Sequence, residues 1–289
     1  MDVTVCIASH FNPEGLYLSV FSALSQLEKS DLNWEILIAA DGGTPDKWEQ
    51  AHENISCLRL TGQNKTGSPQ GTRDIGIRNA KYKNVLCIDS HVIISDIKKW
   101  VEEHERLHAA TSFPAMIGGS SEMWKMYSSV FDWDGSFWYK HVIYQPKTWE
   151  PYRILETSHS GFMVDRDFYI SSGGYTNLQQ GYGGEETFWG LKTWMLGGQN
   201  WMIPQVSHAH YQPAGRNEGA DAKPNYRRNF LIAAYVLGGQ TYLEKAESYY
   251  KDKLQITPDI QRERVKICAG PFHGDLDALR KYCKQEGIE

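Results

Sequence analysis

The chain has 289 residues, of which 41% are hydrophobic and 22% are charged, with a formal net charge of -5 and a pI near 6.1. This is a globular composition, and it excludes disorder, collagen and coiled coil as the main architecture. The acidic pI argues against a broad nucleic-acid-binding surface, and the apolar runs are shorter than the ~20 residues that a membrane span needs.

The first part of the sequence alternates short apolar runs with amphipathic segments. Apolar, β-branched runs predict buried strands over residues 3–8, 34–40, 56–60 and 84–88. Helical spacing and start signals predict helices over residues 16–27, from Thr44-Pro45, over 69–80 and over 96–108. This alternation predicts an α/β fold with a mostly parallel sheet flanked by helices.

The later part of the sequence has a different pattern. Residues 122–152 are rich in aromatic side chains and predict a meander of short strands. The pattern then predicts a strand over 161–164, helices over 165–171 and 185–196, and extended segments over 201–203 and 206–210. Further helices are predicted over 225–237, 241–252, 257–268 and 274–285. We therefore expect a catalytic domain over 1–220 and a helical extension over 221–289.

Polar residues follow three of the predicted parallel strands. They are Ser9–Asn12, Asp41–Gly43 and Asp89–His91. Ligands of such sheets bind beyond the carboxyl ends of the strands. The sequence therefore predicts a ligand site formed by these three segments.

Two pairs of residues, each pair separated by one intervening residue, offer metal ligands. Asp89 and His91, like His208 and His210, are two residues apart and would share a face of an extended chain. One oxygen and one or more imidazoles suit Mn²⁺ or Zn²⁺ better than Ca²⁺. The alternatives are a helix N-terminus with a surface histidine at Asp89–His91, and one buried and one exposed histidine at 208–210. A literal Asp-Xaa-Asp over 132–134 ranks lower, because it follows no buried strand.

Two carboxylates open a predicted helix after a glycine turn. Glu185 and Glu186 follow Gly183 and Gly184, which allow a ligand to approach the backbone closely. Either carboxylate could bind sugar hydroxyls or act as a general base, and the alternative is a pair of ordinary helix N-terminal acids. Arg73 lies on the helix that precedes Asp89 and could reach a diphosphate.

In this order, the segments resemble the GT-A glycosyltransferases of the family 2 type, and in particular the catalytic domain of polypeptide N-acetylgalactosaminyltransferases. The resemblance covers roughly residues 3–215. Its motifs are Val5–Asn12, Ile36–Asp41, Gly71–Gly76, Asp89-Ser90-His91, Ser160–Phe168, Gly183–Glu186 with Trp194 and Gly197-Gly198, and Ile203-Pro204 to His210. The spacing from Pro204 matches His210 rather than His208 to the last metal ligand of that family.

The resemblance implies a GT-A fold and a metal-dependent transfer of a sugar from a UDP-sugar to an acceptor hydroxyl. It assigns Mn²⁺, or another divalent cation, to Asp89, His91 and His210. It assigns donor binding to Ser9, His10, Asn12, Asp41, Arg73, Ser90, Gly161 and Gly184. It assigns catalysis to Glu185 and Glu186. Because Glu186 stands where that family has Asn, retention or inversion at the sugar stays open.

The acceptor and the oligomeric state are not fixed by the sequence. A protein or a glycan is favoured as acceptor, and a modified nucleobase stays open. Four tryptophans, Trp124, Trp133, Trp138 and Trp149, are expected to wall the acceptor pocket, and residues 211–218 to close over the nucleotide. The alternative functions are a nucleotidyltransferase on a related scaffold and a non-catalytic carbohydrate-binding protein.

The start of the chain predicts its location. The sequence MDVTVC has no basic region ahead of its apolar run, so no secretory signal is expected. We therefore expect a cytoplasmic protein without a membrane span. A bacterial or phage enzyme fits this expectation better than a Golgi enzyme.

Overall fold

The computed structural model describes most of the chain. The described residues are 1–10, 13–42, 47–61, 66–117, 126–131, 133, 139–144, 149–155, 160–175, 183–211, 222–250 and 272–288. Asn12, Trp124, Trp138 and the segment 212–218 lie outside them, and so does the helix expected over 257–268.

Eleven strands and seven helices form the described part of the chain. The strands are β1 (Asp2–Ser9), β2 (Asn33–Asp41), β3 (Ile55–Leu60), β4 (Asn84–Asp89), β5 (Val92–Ile94), β6 (Thr111–Ile117), β7 (Met126–Phe131), β8 (Tyr139–Tyr144), β9 (Tyr152–Arg153), β10 (Gly161–Asp165) and β11 (Asn200–His210). The helices are α1 (Pro13–Leu27), α2 (Pro69–Asn79), α3 (Ile97–Arg106), α4 (Arg166–Ser171), α5 (Glu185–Met195), α6 (Ala222–Tyr250) and α7 (Leu276–Glu286).

One sheet contains all eleven strands. Its main path runs β3-β2-β1-β4-β10-β6-β11-β5, while β7, β8 and β9 pair at its side. The first four strands on this path are parallel, as predicted. Beyond β4 the sheet is mixed, since β10 is antiparallel to β4 and to β6, and β11 is parallel to β6. The parallel expectation therefore holds for the first half, where helices alternate with strands and cover both faces.

The pairing directions bring distant residues to one edge of the sheet. The carboxyl ends of β1, β2, β4 and β11 and the amino end of β10 all lie on this edge. Ser9, Asp41, Asp89, Gly161 and His210 occupy these strand ends. We call this edge the site edge.

A bulge interrupts β11. Ile203 pairs with Pro114 of β6, but the next pair joins Ser207 with Ala115. Between these two pairs β11 has three extra residues, 204–206, relative to β6. The sequence predicted two short extended segments here, over 201–203 and 206–210. The structure instead continues as one strand of 11 residues, with the proline placed in the bulge.

Local capping explains where several helices begin. The side chains of Ser68, Asp96 and Asp165 accept a hydrogen bond from a backbone N–H three residues ahead and so start α2, α3 and α4. The helix expected from Thr44-Pro45 falls partly outside the described residues. The part that is described contains only a short 3₁₀ turn over Trp48–Gln50.

Three apolar clusters hold the layers together. One packs α1 and α3 against one face of β1, β2 and β4, and includes Trp100. A second packs α2, α4 and Trp189 of α5 against the other face. The third joins α5 to α6 and α7.

The C-terminal helices share their core with α5. Phe188 and Leu191 of α5 lie in the same buried cluster as Phe230 of α6 and Leu276 of α7. Helix α6 is interrupted at Gly239, whose φ is 71°, which is near the break that separates the two helices predicted here. The boundary at residue 220 stays a prediction, and this shared core joins the two sides of it.

No helix in the described ranges is both long and apolar enough to cross a membrane.

A buried histidine makes the stability of the fold depend on pH. His104 of α3 contacts the Ser112 hydroxyl at 2.7 Å through Nδ1, and burial lowers its pKa to about 4. The unfolded chain would bind a proton near the ordinary value of about 6.5, so acid favours unfolding. We expect the free energy of unfolding to lose about 3 kcal/mol from this group as the pH falls from about 6.5 to about 4.

His104→Gln tests this expectation, since glutamine can bond to Ser112 without titrating. Urea unfolding over this pH range should show a shallower loss of stability for the variant than for the wild type. His108→Asn, at an exposed position with φ 48°, is the matched control and should keep the wild-type slope. Equal slopes for all three proteins would contradict the assignment.

Candidate metal centre and its carboxylate partners

Three side chains converge at the site edge. Asp89, His91 and His210 each offer one ligand atom, and these atoms all lie within 4.8 Å of one another. Nε2 of His210 is 2.8 Å from Nε2 of His91 and 3.7 Å from Oδ2 of Asp89. Among the described residues, no other group of three or more His, Cys, Asp and Glu side chains forms such a cluster.

The backbone of Asp89–Val92 is held by hydrogen bonds from three other parts of the chain. The N–H of Asp89 donates to the carbonyl of Ser160, and the N–H of Tyr211 donates to the carbonyl of His91. The Ser19 hydroxyl of α1 donates to the carbonyl of Val92, and the N–H of Val92 donates back to Ser19. These hydrogen bonds fix the backbone that carries the candidate ligand atoms of Asp89 and His91.

The two histidines of β11 have different surroundings. Nε2 of His208 is 2.6 Å from the Ser160 hydroxyl, so this ring faces β10. Burial, with the nearby His210, lowers the pKa of His208 to about 3, which keeps the ring neutral at physiological pH. The structure therefore brings His210, and not His208, to Asp89 and His91.

A buried arginine contacts this candidate metal-binding cluster. Arg73 of α2 donates to Oδ1 of Asp89 at 2.6 Å, and its Nη1 is 3.7 Å from Oε1 of Glu185. The guanidinium was expected to support a base or a diphosphate, but the structure gives it two carboxylate partners. Nothing in the sequence indicated that position 73 is buried, on the face of α2 that contacts β1 and β4.

Charge and burial oppose each other in this cluster. Burial by itself would raise the pKa of Asp89, but Arg73 and His210 outweigh it and hold that pKa well below its usual range. Burial by itself would lower the pKa of Arg73, but Asp89, Tyr175 and Glu185 outweigh it and keep the guanidinium charged. Burial raises the pKa of Glu185 in spite of the neighbouring Arg73.

The glycine turn before α5 places both glutamates inside the protein. Gly183 and Gly184 have φ values of 97° and 82°, which side chains with a Cβ rarely adopt. Glu185 and Glu186 follow as the first two residues of α5, and both are buried. Burial distinguishes them from solvated N-terminal acids, the alternative that the sequence left open.

The other residues expected to bind the donor are at the same edge. His10 contacts the carbonyl of Asp41 through Nδ1, and Ser9 and Ser90 are buried at the ends of β1 and β4. The Asp41 carboxylate accepts hydrogen bonds from the backbone of Gly67 at 2.8 Å and from the Thr66 hydroxyl at 2.8 Å. In the structure the Asp41 carboxylate thus stabilises the turn before α2. The sequence did not indicate this contact.

Two of the four tryptophans expected at the acceptor pocket lie within the described residues. Trp133 packs against the apolar cluster of α5, α6 and α7, with the Arg280 guanidinium 5.7 Å from its ring centre. Trp149 is 63% exposed. The ring of Trp133 is thus shared with the C-terminal helices, and an acceptor wall built from the four tryptophans stays a prediction.

Comparison with known proteins identifies relatives for most of the chain. A sequence profile described as glycosyl transferase family 2 matches residues 4–173. N-acetylgalactosaminyltransferase 6 of Drosophila melanogaster is 26% identical over 194 residues, covering 62% of this chain and 28% of that protein. The putative polypeptide N-acetylgalactosaminyltransferase 13 of the same species is 22% identical over 266 residues, covering 81% of this chain and 47% of that protein. The chain thus spans less than half the length of these curated relatives.

Solved structures with the same fold support the architecture. GalNAc-T7, solved with UDP, GalNAc and Mn²⁺, superposes with a TM-score of 0.66 at 18% identity, covering all of this chain and 55% of that one. Staphylococcus aureus TarS (residues 1–349), solved with UDP-GlcNAc, superposes with a TM-score of 0.53 at 12% identity, covering 92% and 79% of the two chains. These likenesses confirm the expected α/β fold of the GT-A type.

Removing the Arg73 guanidinium should lower the stability of the protein. Arg73→Met leaves Asp89 and Glu185 buried without their cation, and we expect a loss of about 3–5 kcal/mol in the free energy of unfolding. Adding Glu185→Gln should recover part of this loss, because it removes one of the uncompensated charges. Urea unfolding of the single and double variants measures both effects.

Arg78→Met is the matched control for this experiment. Arg78 lies on the same helix and pairs with Asp74, but its side chain is 39% exposed, so the loss should stay below about 1 kcal/mol. A loss at Arg73 no larger than at Arg78 would contradict the central role of the buried guanidinium.

Proposed function

The chain belongs to glycosyl transferase family 2, and from this membership we propose that it transfers a sugar from a UDP-sugar to an acceptor hydroxyl in a metal-dependent reaction. The observation that carries the proposal is the convergence of Asp89, His91 and His210 at the site edge. The UDP, GalNAc and Mn²⁺ present in the GalNAc-T7 structure support the choice of donor and metal.

The donor atoms at this cluster fit Mn²⁺. One carboxylate oxygen and two imidazole nitrogens form a ligand set suited to a first-row divalent metal, and the Asp89 carboxylate is ionised beside Arg73. Mn²⁺ held by Asp89, His91 and His210 would supply positive charge to the diphosphate of the leaving nucleotide. Arg73 keeps the Asp89 carboxylate oriented for this task through the hydrogen bond of 2.6 Å.

We assign the nucleotide half of the donor to the ends of β1 and β2. Ser9, His10 and Asp41 lie at the carboxyl ends of these strands, where nucleotides bind in α/β sheets, and Asn12 is assigned with them from the sequence. Arg73 donates to Asp89, and Ser90 lies between Asp89 and His91 in the sequence, so both are assigned beside the metal ligands. The donor sugar then extends towards Gly161 and Gly184, at the amino ends of β10 and α5.

Glu185 and Glu186 receive different roles in this proposal. Glu185 pairs with Arg73 and would bind sugar hydroxyls, since its carboxylate is fixed by that contact. Glu186 is the proposed general base in an inverting transfer, taking the proton from the acceptor hydroxyl as the new glycosidic bond forms and UDP leaves. A retaining outcome would leave Glu186 without this role, so the stereochemistry of the product decides between them.

The acceptor remains the open part of the function. We favour a protein or glycan hydroxyl over a modified nucleobase, because the chain is acidic overall. The family match counts against a nucleotidyltransferase, which would release pyrophosphate from UTP, and against a carbohydrate-binding protein that needs neither nucleotide nor metal. The cytoplasmic location and the bacterial or phage origin stay predictions, and the two curated relatives named above are from Drosophila melanogaster.

The metal ligands can be tested by nucleotide binding. Asp89→Asn, His91→Ala and His210→Ala should each weaken Mn²⁺-dependent UDP binding by at least about tenfold, because each removes one ligand. Calorimetric titration of UDP with and without Mn²⁺ gives the comparison. His208→Gln is the matched control, and it should bind UDP as the wild type does, since a glutamine amide can bond to Ser160.

The opposite pattern, with loss in His208→Gln and retention in His210→Ala, would show that the wrong histidine has been assigned. A wild-type protein that is neither stabilised against heat nor turned over by any UDP- or GDP-sugar, with or without Mn²⁺, would refute the transferase proposal itself.

Glu186→Gln tests the general base. We expect transfer to fall by about 10²–10⁴-fold while UDP-sugar binding is kept, because the amide cannot accept the acceptor proton. Glu185→Gln should weaken both transfer and UDP-sugar binding, because its proposed contact is with the donor sugar. Transfer at the wild-type rate by Glu186→Gln would remove the inverting mechanism.

A further inference from the structure

We propose that Asn229 of α6 is a positioning residue for the two glutamates, so that the C-terminal helices form part of the active site. Asn229 lies outside the segment matched by the family profile, which ends at residue 173, and beyond the boundary predicted at residue 220. The kinetic part of this proposal rests on the proposed function, whereas its structural part does not.

The contact is between one side chain and the glycine turn. Nδ2 of Asn229 donates a hydrogen bond of 2.8 Å to the carbonyl of Gly183, and Asn229 is fully buried. A Cβ added at Gly184 would lie 3.1 Å from Cβ of Asn229 and 3.3 Å from its backbone carbonyl carbon. Helix α6 therefore lies directly against the turn, both by hydrogen bonding and by packing.

A contact from another helix matters at this turn because its backbone is unusually free to move. Two successive glycines with positive φ have more conformational freedom to lose than any other pair. Helix α5 also begins without a side-chain cap, because Gly184 occupies that position. The Asn229 amide adds a restraint from another helix to those within the turn.

Movement of this turn would reach the metal ligands through two further contacts. Glu185 follows Gly184 directly, and its carboxylate is 3.7 Å from Nη1 of Arg73. Arg73 in turn donates to Asp89 at 2.6 Å. Because Glu185 is the first residue of α5, its contact with Arg73 depends on where the turn holds the start of that helix.

Helix α6 is itself well anchored. Phe230 and Leu231, the next residues after Asn229, are buried in the apolar cluster that they share with Phe188 and Leu191 of α5. The backbone that carries Asn229 is thus fixed relative to α5. A hydrogen bond from a rigid support can hold the turn within the tolerance that catalysis requires.

The chemistry of the side chain gives a selective test. An ionised aspartate has nearly the same shape as asparagine but only accepts hydrogen bonds, so Asn229→Asp would place a carboxylate against the Gly183 carbonyl. Asn229→Ala removes the donor without adding charge, and it carries the test if the aspartate variant does not fold. Leu243→Ala is the control, because Leu243 is fully buried in the same cluster on the far side of the interruption at Gly239.

Hydrogen exchange followed by mass spectrometry provides the readout that needs no activity. For Asn229→Ala we expect amide exchange to rise by about tenfold or more in peptides covering residues 183–188, since a local restraint is lost. For Leu243→Ala we expect a lower melting temperature and faster exchange in α6, with residues 183–188 changed no more than the rest of α5. Equal exchange at 183–188 in both variants would overturn the proposal.

Steady-state kinetics provides the second readout. With UDP-sugar and Mn²⁺, kcat of Asn229→Ala should fall by about 10–100-fold while the donor KM changes by less than about threefold, because misplaced groups mainly affect the chemical step. Leu243→Ala should keep the wild-type kcat at a temperature where it is folded, and the same kcat for both variants would overturn the positioning role. A wild-type protein that transfers no sugar, combined with the local exchange effect, would refute the proposed function and leave the structural contact established.

Discussion

The buried guanidinium of Arg73 joins parts of the chain that are far apart in sequence. It lies between the carboxylates of Asp89 at the end of β4 and Glu185 at the start of α5. Burying two ionised carboxylates together is costly without a cation, because each loses its hydration with no compensation. The charge of Arg73 therefore allows the proposed metal ligands and the proposed catalytic glutamates to occupy the same region of the protein.

The sheet provides the frame for this cluster. Parallel pairing aligns the ends of β1, β2 and β4, and the antiparallel β10 then places Gly161 at the same edge. Since the Ser160 carbonyl accepts from the backbone of Asp89 and its hydroxyl contacts His208, the start of β10 links the two strands that carry Asp89 and His210, two of the proposed metal ligands. Because the sheet is mixed, the amino end of β10 lies at the same edge as the carboxyl ends of β1, β2 and β4. A fully parallel sheet would not allow this arrangement.

Local patterns in the sequence predicted the elements with strong periodicity, and long-range contacts account for what they missed. The β-branched runs of β1 and β2 and the glycine-terminated helix α5 were predicted to within a few residues. Asp89, His91 and His210 were singled out because they lie at strand ends and match motifs of a known family. The partners of Arg73 could not be predicted, because Glu185 is over a hundred positions away and contact at that distance depends on how the whole fold brings α2 and the start of α5 together.

Two departures have identifiable physical causes. Two separate extended segments were predicted over 201–203 and 206–210, and the structure joins them into one strand by placing Pro204 in a bulge. The Asp41 carboxylate is occupied by a turn whose residues lie 25 and 26 positions later, which no local pattern reports.

The bulge in β11 decides which face of the sheet His210 occupies. Side chains of a strand alternate between the two faces, so an offset of three residues against β6 reverses the parity of everything beyond it. If β11 continued its regular pairing with β6 beyond Ile203, His210 would lie on the opposite face of the sheet from the one it occupies. The three extra residues of the bulge therefore allow a single strand to present His210 on the face where Asp89 lies.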